Sequence, residues 1–264
     1  MNKYKDEPEK SLFQVETGSN VQEGATQTKE EQTALKANPL ELKTIARIYT
    51  DFPEKFGIPR QSGLIEELKG RIVFEPEYRS PEAVRGLEEF DYLWLLWQFE
   101  GTWRQQWSPT VKPPRLGGNT HMGVFATRAP FRPNPIGLSS VRLERVEMTK
   151  EGPVLYVAGI DLKDGTRIYD IKPYLSYVDS HPDARNGFAE EVKNYELEVD
   201  FPEELLNIFP QEKRTAVYEV LRQDPRPSYH QNPQRSYGVA FAGYDVHFRV
   251  DGKKLTVFEV VPYK

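Results

Sequence analysis

The stretch TRAPFRPNPIGLS, residues 127–139, gathers residues able to do chemistry on a stiff support. Arg128 and Arg132 carry planar, permanently charged forks suited to carboxylates, phosphates or aromatic faces. Pro133 and Pro135 push Arg132 and Asn134 toward extended backbone, and each removes one N–H donor. Neither a helix nor a central strand can therefore run through them. Gly137 admits close approach of another backbone or of a ligand where the chain enters the next strand. A structural crossover closing a barrel would use the same features, and the residues alone leave both readings open.

Two further clusters carry polar chemistry. In DLKDGTRIYDIKPY, residues 161–174, Asp161, Asp164, Asp170 and Lys172 surround an Asp164–Gly165 turn. Carboxylates in such loops accept hydrogen bonds from ribose hydroxyls or a ligand amino group. A plain turn needs only Asp164 and Gly165, and Asp161 with Lys172 could form a surface ion pair. In QDPRPSYH, residues 223–230, the prolines are expected to hold Asp224 and Arg226 extended, and Tyr229 offers a ring on which a base could stack. A helix stop would use the same prolines.

Other chemistries find less support. His121, His181, His230 and His247 lack metal-ligand spacing. A metal-dependent nucleotide hydrolase would have to use Asp179, His181 and Asp183, and no metal is expected. No GxGxxG, GxxxxGK[ST] or GxSxG motif occurs, which removes the usual dinucleotide, P-loop and hydrolase-elbow arguments. The absence of cysteine excludes a thiolate nucleophile, a disulfide framework and a cysteine zinc site, and fits a reducing cytoplasm. The longest apolar run, YLWLLW at 92–97, is too short to span a bilayer, and the N-terminus lacks the layout of a signal peptide.

The elements that must position these clusters read as mainly β. Residues 1–41 are polar and poor in aromatics, which predicts a disordered tail. Strands are expected at TIARIYT (44–50), RIVFE (71–75), DYLWLLWQF (91–99), MGVFAT (122–127), SSVRLERVE (139–147), VLYVAGI (154–160) and TRIYDIK (166–172). The third of these reads as buried because its apolar residues are continuous. Ser80 and Pro81 look like the start of a short helix reaching Phe90. Short strands at this spacing suggest a closed or nearly closed barrel over 42–186. From 187 to 264 the pattern changes to two short helices separated by Pro210, with Val217, Val220 and Leu221 on one face. A hairpin follows across Asp251–Gly252, giving a small α+β domain. The net charge is -5, yet Arg104, Lys112, Arg115, Arg128, Arg132, Arg142 and Arg145 lie between residues 103 and 145 against Glu144 alone. Such a stretch could be a phosphate footprint or a solvated charged face.

At these same residues the chain resembles the TsaA-like (TrmO) family of S-adenosylmethionine-dependent tRNA adenine N6-methyltransferases. The resemblance is carried by PRQSGLI, AVRGLEEFDYLW, KPPRLGG, MGVFATRAPFRPNPIGLS, DLKDGT, DIKPY and DPRPSY, in order over residues 43–264. It implies a β-barrel methyltransferase domain unlike the Rossmann type, a small C-terminal domain and a homodimer. S-adenosylmethionine is the implied cofactor, bound at Gln61, Ser62, Gly63, Phe99, Glu100, Arg128, Leu138, Asp161, Leu162, Lys163 and Asp164. Glu100 stands where some relatives carry histidine. The implied acceptor is the exocyclic N6 of threonylcarbamoyladenosine beside the anticodon, in a tRNA loop reachable without opening a duplex. Asp224, Arg226 and Tyr229 are the candidates for catalytic or acceptor-side contacts, with Arg132 and Lys172 next. A non-catalytic tRNA-binding module is the first alternative, and the metal-dependent nucleotide hydrolase is the second.

Overall fold

The computed structural model describes residues 41–101, 107–113, 116, 120–227, 230 and 232–264. The expected N-terminal tail, Arg104, Arg115 and Tyr229 lie outside them. Among the described residues, twelve strands and three short α-helices follow in chain order. The strands are β1 (Ala46–Thr50), β2 (Lys69–Phe74), β3 (Tyr92–Gln98), β4 (Thr110–Val111), β5 (Met122–Gly123), β6 (Ile136–Thr149), β7 (Gly152–Ala158), β8 (Thr166–Pro173), β9 (Glu198–Asp200), β10 (Ser236–Phe241), β11 (Tyr244–Asp251) and β12 (Lys254–Pro262). The helices are α1 (Ser176–Asp179), α2 (Glu203–Leu206) and α3 (Gln211–Arg222).

Six strands close into an antiparallel barrel in the order β1-β2-β7-β6-β3-β8, with β8 pairing back to β1. Closure leaves none of these six strands with an unpaired side. Ile48, Ile72, Leu93, Leu95, Val141, Leu155, Val157 and Ile168 are fully buried and fill the interior. The remaining large sheet runs β10-β11-β12-β9, mostly antiparallel with β9 parallel to β12. Val246, Phe248 and Val250 are buried on it, as the alternation in sequence predicts. Ala216, Val217, Val220 and Leu221 of α3 are buried as well.

Leu42–Lys264 form one compact unit. The loop after β1 joins its two sheets. The ring of Phe52 packs on Phe241 with centroids 5.1 Å apart, the Ala242 N–H donates to the Asp51 carbonyl at 2.9 Å, and the Tyr263 hydroxyl donates to Glu54 at 2.7 Å.

Three expected elements take another form. The helix expected over 81–90 is two 3-10 turns, Pro81–Val84 and Leu87–Glu89. Gly86 at φ 81° breaks them apart, and the Ser80 side chain caps nothing. MGVFAT pairs only at Met122–Gly123, and Val124–Ala126 turn as 3-10 backbone. There the Thr127 hydroxyl donates to the Val124 carbonyl at 2.9 Å and accepts from the Ala129 N–H at 3.2 Å, local bonds that compete with a strand ladder. Strand β3 is not buried on both faces. Leu93, Leu95 and Trp97 point inward, while Tyr92 and Trp94 lie outward beside Tyr174 at 6.2 and 5.6 Å. Aromatic residues on the outer face, Tyr92 exposed and Trp94 half-buried, make the run look continuous in sequence.

Candidate active site

The proline loop ends in two tight turns. The Arg132 N–H reaches the Pro130 carbonyl at 2.9 Å and the Ile136 N–H reaches that of Asn134 at 2.8 Å. The second spans Pro135, whose ring pre-sets the φ such a three-residue turn needs. The Arg132 fork is partly used inside the loop. One of its nitrogens donates to the carbonyls of Val124 at 3.0 Å and Thr127 at 2.7 Å, and its carbon lies 5.7 Å from the Phe125 ring centre.

The loop delivers Gly137 opposite Trp97. A Cβ on Gly137 would lie 2.3–2.6 Å from three atoms of the Trp97 indole, so this glycine makes room for an aromatic ring rather than for a ligand. With the ring seated there, the Trp97 Nε1–H donates to Ser139 Oγ at 2.9 Å, and that hydroxyl donates to Asp161 Oδ1 at 2.6 Å. Burial pushes the Asp161 carboxyl up to about 6, against the opposing pull of the Ser139 hydroxyl, the backbone N–H groups of Asp161 and Ser62, and the Arg128 charge.

Around that carboxylate the structure brings together Gln61, Ser62, Gly63 and Arg128. Arg128 donates to Gln61 Oε1, the Ser140 N–H donates to Ser62 Oγ at 3.0 Å, and the Gly63 N–H donates to the Gly159 carbonyl at 2.8 Å. Gly63 sits at φ 78°, where a side chain would be strained, and a Cβ there would point into open space. Phe99 is tied in from the neighbouring strand. Its N–H donates to the Pro135 carbonyl at 2.9 Å, and its ring lies 4.3 Å from that of Trp97. Leu138, 53% exposed, borders Ser139 on β6. These groups offer a small ligand a carboxylate for hydroxyls or an ammonium, open backbone at Gly63, and apolar side chains.

Other expected positions serve the frame. The Glu100 carbonyl accepts from Lys55 Nζ, and its carboxylate lies 3.7 Å from Arg167. Leu162 is core, while Asp164 accepts the Thr50 N–H at 2.9 Å and thereby pins the turn that includes Lys163. Lys172 pairs with Asp170 at 2.8 Å, not with Asp161. Asp179 accepts from the Trp94 indole and the Leu175 N–H, both at 2.9 Å. Among the described residues no three His, Asp or Glu side chains converge as a metal site would require.

The DPRPSY loop differs most from expectation. Asp224 is not extended but lies at φ 51°, where its N–H closes the end of α3 on the Leu221 carbonyl at 3.1 Å. Helix ends favour this left-handed residue, and Asp tolerates it. Asp224 and Arg226 are 4% and 8% exposed and form an ion pair at 2.9 Å. The Tyr195 hydroxyl donates to Asp224 at 3.0 Å, and Arg226 donates to the carbonyls of His230 at 3.3 Å and Gly252 at 3.4 Å. Sequence reasoning missed Trp97 and Ser139. The available signal was a glycine at the start of one strand and a tryptophan in another, but their register was hidden.

With that geometry in view, residues 47–180 match the tRNA-methyltransferase O N-terminal domain and residues 194–263 match the TrmO C-terminal domain. A tRNA (adenine(37)-N6)-methyltransferase of Escherichia coli K12 is 41% identical over 230 residues, covering 84% of this chain and 98% of the relative. A putative S-adenosylmethionine-dependent methyltransferase of Pseudomonas aeruginosa is 42% identical over 212 residues, covering 77% and 90%. A crystal structure of TrmO from Pseudomonas aeruginosa superposes with a TM-score of 0.66 at 34% identity, covering 85% of this chain and all of that one. The chain belongs to the tRNA-methyltransferase O family.

Proposed function

We propose that this protein transfers the methyl group of S-adenosylmethionine to the exocyclic N6 of threonylcarbamoyladenosine next to the tRNA anticodon. The observation that carries the reading is the half-buried Asp161 carboxylate set among Gln61, Ser62, Gly63 and Arg128, in a chain with relatives named tRNA (adenine(37)-N6)-methyltransferase. When bound, S-adenosylmethionine would supply an electrophilic methyl, the N6 lone pair forming the N–C bond as the C–S electrons return to sulfur and the N6 proton passes to water. Asp161 and the Gly63 backbone would hold the donor, with Phe99 and Leu138 as its apolar contacts. The stiff proline loop keeps Arg128 and Leu138 in place, and fixed positioning supplies much of the rate in such a displacement. Labelled methyl should enter tRNA bearing the threonylcarbamoyl group and not tRNA lacking it. Equal labelling of both would refute the acceptor, and no thermal shift with S-adenosylmethionine would refute the donor.

We assign the donor site to residues 42–186 and part of the RNA contact to residues 187–264. A homodimer is supported by the exposed apolar side chains of Trp107, Phe125, Phe131, Ile136 and Leu138 at and beside the loop. Sedimentation at micromolar concentration should give twice the 30.6 kDa chain mass, and a monomer there would refute it. No helix of the described residues is long and apolar enough to cross a membrane. The cytoplasm, which holds the tRNA pool, is the compartment we infer, and cell fractionation reads it directly.

A further inference from the structure

The outer wall of the barrel carries a row of alternating aromatic and cationic side chains. Tyr49 of β1 lies opposite Arg71 of β2, Arg71 opposite Tyr156 of β7, and Tyr156 opposite Arg145 of β6. The Arg71 guanidinium carbon is 5.2 Å from the Tyr49 ring centre, and that of Arg145 is 3.4 Å from the Tyr156 ring centre. The pairing of β6 with β7 shifts between Leu143 and Arg145, an irregularity that brings Arg145 into this row.

Beside the row lies a cavity of about 370 Å³ lined by Tyr49, Arg71, Val73, Arg79, Gly152 and Val154, among others. Arg79 is held in place from two sides. Its Nε donates to the Phe74 carbonyl at 2.9 Å, and Gly152, at φ 115°, leaves room for it where a Cβ would lie 2.7 Å from the Arg79 Cβ. The acidic partner of Arg79, Glu151, is 3.7 Å away with its side chain 79% exposed, a solvated pair that a phosphate can displace at little cost. Among the described residues Arg71 has no carboxylate within ion-pair distance. The mechanism above uses none of these residues.

We propose that this groove is a second RNA contact, which takes phosphates on the Arg71 and Arg79 forks and stacks a base or ribose on Tyr49. Guanidinium forks match phosphate oxygens, and a tyrosine face accepts any base, so the recognition is of RNA as such rather than of a sequence. The same strand leads to the donor site. Two residues along β7 from Tyr156, Ala158 is buried between Lys69 and Arg142, which both pair with Glu144, and the carbonyl of the next residue, Gly159, accepts the Gly63 N–H. Along β7 the groove begins roughly 10 Å from Gly159, at Tyr156 opposite Arg71, and ends roughly 23 Å away, at Gly152 against Arg79, so its far end is out of reach of the methyl-accepting base itself. The groove therefore meets nucleotides away from that base. The proposal rests on tRNA being the substrate.

The test is the double variant Arg71→Gln/Arg79→Gln, with Arg71→Gln alone as the variant that leaves the Phe74 bond intact. Affinity for tRNA is measured without cofactor across a salt series, and steady-state methylation is measured beside it. The double variant should weaken tRNA binding and raise KM for tRNA about tenfold. It should lower the slope of log affinity against log salt by about 1.4–1.8, since each phosphate contact contributes about 0.7–0.9. Its kcat and S-adenosylmethionine affinity should match the unaltered protein, and the single variant should show about half the slope change. An isolated anticodon stem-loop should lose less than intact tRNA. Unchanged tRNA affinity and salt slope in both variants would overturn the groove, as would a changed oligomeric state, which would mark it as a contact between copies. Failure of the substrate reading is visible separately, as absence of methyl transfer by the unaltered protein.

Discussion

Asp161→Asn should yield a protein that is more stable and that binds its methyl donor far more weakly. The carboxyl is pushed from 3.8 to about 6 chiefly by burial, so the folded state carries an ionised group it would rather keep neutral. The unfolded chain keeps the ordinary value. Between about 3.8 and 6 the folded form therefore binds more protons, and stability falls as pH rises through that window, then stays level above it. The full difference corresponds to at most about 3 kcal/mol at neutral pH. Asparagine removes the charge while its amide oxygen can still accept from Ser139, so part of that sum should appear as a raised melting temperature. Donor affinity should move the other way. A hydrogen bond to a charged group contributes about 1.5–3 kcal/mol, which predicts a roughly 10- to 150-fold weaker Kd for S-adenosylmethionine. In the unaltered protein the same affinity should fall as pH drops below about 6. Calorimetric titration of both proteins between pH 5 and 8 reads the donor affinities, and thermal unfolding between pH 4 and 8 reads the stabilities. A Kd within threefold of the unaltered protein would remove Asp161 from the donor site.

The second large effect belongs to Arg226. Among the described residues, Arg226→Ala leaves buried, charged Asp224 with the Tyr195 hydroxyl as its remaining side-chain partner. Breaking one side of a buried pair costs about 3–5 kcal/mol, because the surviving charge has lost its compensation. For a chain of this size that is a fall of roughly 6–20 °C in Tm. The same variant separates a structural from an acceptor-side role. If the pair only ties α3 to the loop after it, the folded fraction at low temperature should methylate with near-normal KM for tRNA. If Arg226 also touches the acceptor, KM for tRNA should rise alongside the fall in Tm. Asp224→Asn should be milder than Asp224→Ala, because asparagine tolerates the left-handed backbone at φ 51°. Chemical unfolding with parallel kinetics decides between the two roles.

The barrel strands were legible because β-branched and aromatic runs broken by turn residues are a local pattern. Burial on the last sheet followed the alternation of Val246, Phe248 and Val250 for the same reason. Strand β3 was misread where two aromatic residues on its outer face met Tyr174, a residue far away in sequence. The turn at Val124–Ala126 was missed because side-chain hydroxyl bonds, rather than hydrophobic period, set the backbone there.

The stiffness of residues 127–139 was determined by the sequence itself, since proline sterics act within one or two residues. The motif order that identifies the family was likewise written along the chain. What Gly137 is for, how Asp161 comes to resist ionisation, and that Asp224 and Arg226 satisfy each other were decided only by tertiary structure. Each depends on strand register or on exclusion of water by residues far apart in sequence. Trp97 and Gly137 are brought together across a closed barrel, and no spacing along the chain encodes that meeting.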